Sequence, residues 1–247
     1  ERSLTMNEHV IDVASSRFTT NRLRPIVDIL VTAAPLVLAG YIGTIIGTDT
    51  LLGGMLVTLG YMLSILIGGY VLRSRTTGWV EIGFMRPQSW LRTVLLGLLA
   101  LLGVVLASTL VQGVIPNLLR LKIAPIDQSR FDPLIGDLPT LIFGVVLAWT
   151  TIGFGEEMLF RAFLINRFGK VFEGFRGRTV LAVIFSAILF GMAHYMAEGL
   201  LGAVSTTIMG LVLGIFYVRC RGNLWVTIIA HGLANSIRFV LLFLGQV

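Results

Sequence analysis

The sequence predicts an all-α fold, a polytopic membrane bundle of helices. Three observations carry that expectation. Of 247 residues, 55% are hydrophobic and only 13% are charged, where a soluble domain carries about 25% charged residues. Mean hydropathy is +0.89. The apolar residues gather into runs of about 20, long enough to span a bilayer as helices. They show none of the alternation of a barrel strand, and hydrocarbon admits only helices or closed barrels.

Residues 1–25 are polar and mixed, with no apolar centre, so they do not read as a signal peptide. They are expected as a cytoplasmic amino-terminal tail. Residues 26–247 read as one transmembrane helical domain, with its polar motifs within 139–244. The first apolar run is Ile26–Gly47, and Pro35 inside it predicts a kink. The short link Thr48-Asp49-Thr50 leads to the second run, Leu51–Leu72. A polar segment, Arg73–Ser89, precedes the third run, Leu91–Ile115. The next stretch carries Pro116, Pro125, Pro133 and Pro139 and is too polar to span. Pro139–Phe168 is the fourth element, and Lys170–Arg178 is a basic link. Thr179–Ala197, Leu200–Val218 and Leu224–Leu244 complete a count of about seven. Gly210 and Gly214 form a small-xxx-small pair, a sign of close helix packing.

Net charge is +6, from 19 Lys and Arg against 13 Asp and Glu. The basic residues sit at the ends of apolar runs, so they read as topology signals and lipid-headgroup contacts, with no nucleic acid as partner. With the amino terminus cytoplasmic, fifteen of the nineteen fall on inside segments. Arg120, Lys122, Arg130 and Arg238 remain outside. This bias supports an odd number of spans. The single cysteine, Cys220, allows no internal disulfide. No internal repeat suggests an inverted-repeat transporter.

Against this background the hexapeptide Glu156-Glu157-Met158-Leu159-Phe160-Arg161 stands out. Each charge placed in hydrocarbon costs at least about 2.5 kcal/mol on insertion scales, so such residues read as functional. Glu157 and Arg161 are four apart on one helical face and predict an ion pair. Glu156 is rotated by about 100° from Glu157 and should point elsewhere. A carboxylate in a low-dielectric site beside a second carboxylate binds a proton more readily than in water, as a general base near neutral pH must. Glu156 is therefore the candidate base and Glu157 its charge-paired neighbour. The plainer alternative is that both glutamates only satisfy arginines.

His9 falls in the tail, whereas His194 and His231 fall in apolar runs. Two histidines on two helices, with two glutamates on a third, favour convergence on one site. His231 and Asn235 share a face four residues apart, a donor pair suited to an oxyanion, or simply polar groups used in packing. Phe190 shares a face with His194 and is read as packing that fixes the imidazole. A rise of 1.5 Å per residue puts Glu156 about 18 Å from Phe168, His231 about 10 Å from Leu224, and His194 about 22 Å from Thr179. No G-x-S-x-G, H-E-x-x-H or P-loop motif occurs, and Cys220 lies between Arg219 and Arg221. A carboxylate-activated water is the remaining route. Two histidines and a glutamate also make a zinc set, the alternative to a cofactor-free site.

Glu156-Glu157-x-x-x-Arg161, Phe190-x-x-x-His194 and His231-x-x-x-Asn235, in that order on separate helices, resemble the CPBP family. That is the CAAX prenyl protease type II and abortive-infection group of intramembrane glutamic proteases. The segment Gly78–Pro87 also resembles bacterial members, and the likeness runs roughly from Trp79 to Asn235. The best-described member architecture has eight helices, so about seven to eight are expected. The resemblance implies a metal-free endopeptidase. Glu156 and His194 would activate water, His231 and Asn235 would hold the oxyanion, and Glu157 with Arg161 would position the first glutamate. It also implies a peptide or protein substrate, membrane-anchored ones included, and a cavity open to the cytoplasm. The competing functions are a non-catalytic membrane scaffold or chaperone and, less favoured, an ion-coupled transporter.

Overall fold

A computed structural model describes residues 4–47, 51–120 and 128–246. Among these the elements are helices without a strand, and six helices are long and apolar enough to cross a membrane. They are α1 (Leu4–Ile46), α2 (Leu51–Ser74), α3 (Trp90–Leu118), α4 (Leu138–Val171), α5 (Arg178–Arg219) and α6 (Leu224–Phe243). A short 3-10 turn, Ser129–Leu134, lies between α3 and α4. The link 48–50 and the loop residues 121–127, Lys122 and Pro125 included, lie outside the described residues. Helix α1 runs on through Pro25 and Pro35 without a break, and the predicted tail is helical from Leu4.

Against an expected count of seven to eight membrane helices, six continuous helices among the described residues are long and apolar enough to span, and one of them holds two of the expected runs. The fifth and sixth apolar runs have no loop between them. Both belong to α5, which is interrupted only at Gly199, where φ is 67° and ψ is −167°. A positive φ of this kind is readily adopted by glycine, which lacks a Cβ. The chain folds back there, and the two limbs of α5 pack along each other. A Cβ at Gly210 would come within 3.1 Å of Ala187 Cα, and one at Gly214 within 2.8 Å of a Val183 methyl. The small-xxx-small pair thus serves the close packing its spacing predicted.

Helix α4 is the centre of the bundle. Its residues Ala148–Leu164 form a π-helix, in which each backbone bond reaches five residues instead of four. The local sequence explains why the α ladder loosens. The Thr150 hydroxyl donates to the Val146 carbonyl at 2.8 Å, and Gly153 and Gly155 follow without side chains to stiffen the turn. Every residue from Gly155 to Leu164 is buried. Helices α2, α5 and α6 all pack against this segment.

Two further features hold the frame. Buried Asp28 on α1 accepts from Arg75 at 2.9 Å and from Arg167 of α4 at 3.1 Å, tying three segments at one end of the bundle. The polar loop after α2 is strapped to α5 and α6. Tyr217 donates to the Ile82 carbonyl at 2.7 Å, and the Trp225 indole donates to that of Met85 at 3.1 Å. Phe84 of this loop packs between Phe154 and Trp225.

Helices α4 and α6 approach closely at Gly232, beside His231. A Cβ there would lie 2.9 Å from the Trp149 ring. Gly232→Val is therefore expected to destabilise the protein by about 1–3 kcal/mol, the usual cost of overpacking, seen as a lower thermal midpoint in detergent.

Candidate active site

The site is assembled from the π-segment of α4, the first limb of α5, and α6, with one contribution from α2. Glu157 and Arg161 pair as their spacing predicts. Arg161 Nη1 lies 2.8 Å from Glu157 Oε1. The other side of the guanidinium is covered by Phe190 of α5, whose ring centroid is 4.2 Å from Arg161 Cζ, a cation–π contact. Glu157 is 0% exposed and Arg161 1%. A charge pair this deep persists because breaking it would strand one buried charge.

His231 joins the same network from α6. Its Nδ1 lies 2.8 Å from Glu157 Oε1. Because Glu157 is held as a carboxylate by Arg161, it can only accept, so Nδ1–H donates. That bond orients the ring and turns Nε2 toward Glu156, whose Oε2 is 3.8 Å away. One imidazole therefore faces both glutamates. The two glutamates meet different nitrogens of this ring, Glu157 meeting Nδ1 and Glu156 meeting Nε2. In the π-helix successive side chains are not spaced by the α-helical angle, and the two nitrogens of the ring present two edges.

Glu156 is 5% exposed. Its Oε1 accepts a hydrogen bond from the Tyr61 hydroxyl of α2 at 3.1 Å. Its Oε2 has no hydrogen-bond partner. His194 lies within electrostatic range of Glu156. The His194 ring packs on Phe190, with centroids 4.9 Å apart, and its Nδ1 is 2.9 Å from the Phe190 carbonyl. A carbonyl accepts only, so Nδ1 is the protonated nitrogen and Nε2 is left free of that bond. Phe190 also meets His231 edge-on at 5.9 Å. It is thus the shared wall of Arg161, His194 and His231.

Asn235 is brought to the site's edge but not into it. Its side-chain amide donates to the His231 carbonyl at 3.2 Å, so in this state it bonds its own helix. Among the described residues no group of three or more His, Cys, Asp or Glu is arranged to hold a metal ion.

Sequence reasoning missed Tyr61. The only signal was a hydroxyl-bearing ring three residues before Ser64 in an otherwise apolar run, and nothing in the run says which helix it faces.

Comparison with known proteins agrees with the motifs. The family model described as Type II CAAX prenyl endopeptidase Rce1-like matches residues 137–237. No curated protein and no solved structure matches the chain. The matched segment contains Glu156, Glu157, Arg161, Phe190, His194, His231 and Asn235, while Tyr61 lies outside it. The chain is a multi-pass membrane protein, and from residue 137 to residue 237 it is similar to the Rce1-like type II CAAX prenyl endopeptidases.

Proposed function

We propose that the protein is an intramembrane glutamic endopeptidase that hydrolyses a peptide bond without a metal. The observation that carries this reading is the buried, unpartnered Oε2 of Glu156, which faces His231 while His194 stands in electrostatic range. A buried basic oxygen beside imidazoles is the equipment a general base needs.

The step is as follows. Water, polarised between Glu156 and His194, gives a proton to Glu156 Oε2 as its oxygen bonds to the scissile carbonyl carbon. The carbonyl oxygen becomes an oxyanion, stabilised by His231 and by Asn235 once its amide turns from the helix backbone. The carbon–nitrogen bond then breaks, and the proton held by Glu156 passes to the leaving amine. Glu157 and Arg161 keep His231 and the π-segment in place. The amino terminus and the opening of the site face the cytoplasm, a topology supported by the fifteen basic residues on that side. The substrate is a peptide or membrane-anchored protein.

Purified protein in liposomes, incubated with a proteome-derived peptide library that includes farnesylated peptides, tests this reading by mass spectrometry. His194→Ala is expected to reduce cleavage by about 10²–10⁴-fold, with its thermal midpoint retained and with wild-type cleavage unaffected by a chelator. Cleavage by the alanine variant at the wild-type rate would remove the proposal. Chelator-sensitive cleavage would leave hydrolysis in place and overturn the metal-free mechanism.

A further inference from the structure

We propose that Tyr61 is a positioning residue for Glu156, deciding which of its two carboxylate oxygens acts as the base. The role rests on the peptidase reading above. Tyr61 comes from α2, outside the segment matched by the family model, and its ring is buried at 6% exposure. Its hydroxyl lies 3.1 Å from Glu156 Oε1. An ionised carboxylate accepts only, so the phenol donates.

The two oxygens of Glu156 are thereby made unequal. Oε1 is occupied from the α2 side, whereas Oε2 is unpartnered and turned to His231 on the α6 side. The terminal torsion of a glutamate is broad and two-fold, so an unanchored carboxylate would exchange its oxygens and swing toward Arg161. A charge-assisted bond to one oxygen holds the carboxylate plane and leaves the other oxygen aimed at the place where water must be deprotonated. Tyr61 supplies this without bringing a charge. The effect belongs to the chemical step and not to substrate binding, since the hydroxyl acts through Glu156.

The test uses the full protein in liposomes and the best-cleaved peptide from the library above. Tyr61→Phe, which keeps the ring, is expected to lower kcat about 10–100-fold with KM within about twofold of wild type. The hydrogen bond itself is read by infrared spectroscopy with ring-labelled tyrosine. The C–O band that disappears in Tyr61→Phe is expected to shift in Glu156→Gln, where the acceptor becomes neutral. If the phenylalanine variant does not fold, fluorotyrosine placed at position 61 keeps ring and donor, and kcat must then change with the acidity of the phenol. Wild-type kcat in Tyr61→Phe, a raised KM with kcat intact, a band indifferent to Glu156→Gln, or a kcat blind to fluorination would each overturn the role. Failure of the peptidase reading has a different signature. It appears as absent cleavage by wild type or undiminished cleavage by Glu156→Gln, and the role of Tyr61 falls with it.

Discussion

Glu156→Gln is expected to lower peptide cleavage by about 10²–10⁴-fold, the range that a general base contributes, while the protein folds and inserts normally. Glutamine matches glutamate in shape, and its carbonyl oxygen can still accept from Tyr61, so the packing between α2 and α4 is preserved. What it cannot do is take a proton from water. The residue is buried, with Oε2 unpartnered, so removing its charge strands no cation. Arg161 keeps its contact with Glu157 at 2.8 Å. Initial rates on one library peptide, measured beside thermal melting in detergent, separate the two effects. A scaffold that needs no chemistry would show an unchanged cellular phenotype in this variant, and a peptidase would lose it. A large fall in melting temperature would mean that Glu156 is chiefly structural.

Arg161→Leu is expected to have the largest effect on stability, a loss of about 3–5 kcal/mol, as when one partner of a buried ion pair is removed. Glu157 would be left at 0% exposure with its principal cation gone. Phe190 would lose the guanidinium 4.2 Å above its ring, and with it the wall that supports both histidines. Denaturant unfolding in detergent micelles measures the loss. A double variant, Glu157→Leu with Arg161→Leu, is expected to recover much of that stability, since an apolar pair of similar volume avoids the buried charge altogether. It should remain inactive because His231 loses its Nδ1 acceptor. If the double variant were as unstable as the single one, steric packing of the arginine, and not its charge pairing, would be responsible.

Parts of this site were legible from spacing alone. Glu157 with Arg161, and Phe190 with His194, are four apart, and both contacts form. The spacing of His231 and Asn235 also places them one turn apart, yet the Asn235 amide turns to the His231 carbonyl, because a polar group in an apolar setting takes the nearest acceptor. The two-sided engagement of His231 was not legible. It depends on how α6 meets the π-helical segment Ala148–Leu164. Nor was the reversal at Gly199 inside α5 legible as such. Two apolar runs separated by a glycine predict two helices with a loop, and here a single residue makes the turn.

By itself the sequence determined the solvent and therefore the architecture. A chain 55% hydrophobic and 13% charged must bury its backbone bonds in helices within a bilayer. It also determined which charges would be held inside, since Glu156, Glu157 and Arg161 have no polar surroundings in the chain. Only the tertiary structure decided which helices meet at those charges, which edge of His231 each glutamate sees, and that Tyr61 reaches Glu156 from α2. The reason is physical. In lipid, the face of a helix that touches its neighbours is as apolar as the face that touches hydrocarbon, so the pattern that reveals an inward side in water is missing, and pairing among helices is set by shape and by a few buried hydrogen bonds.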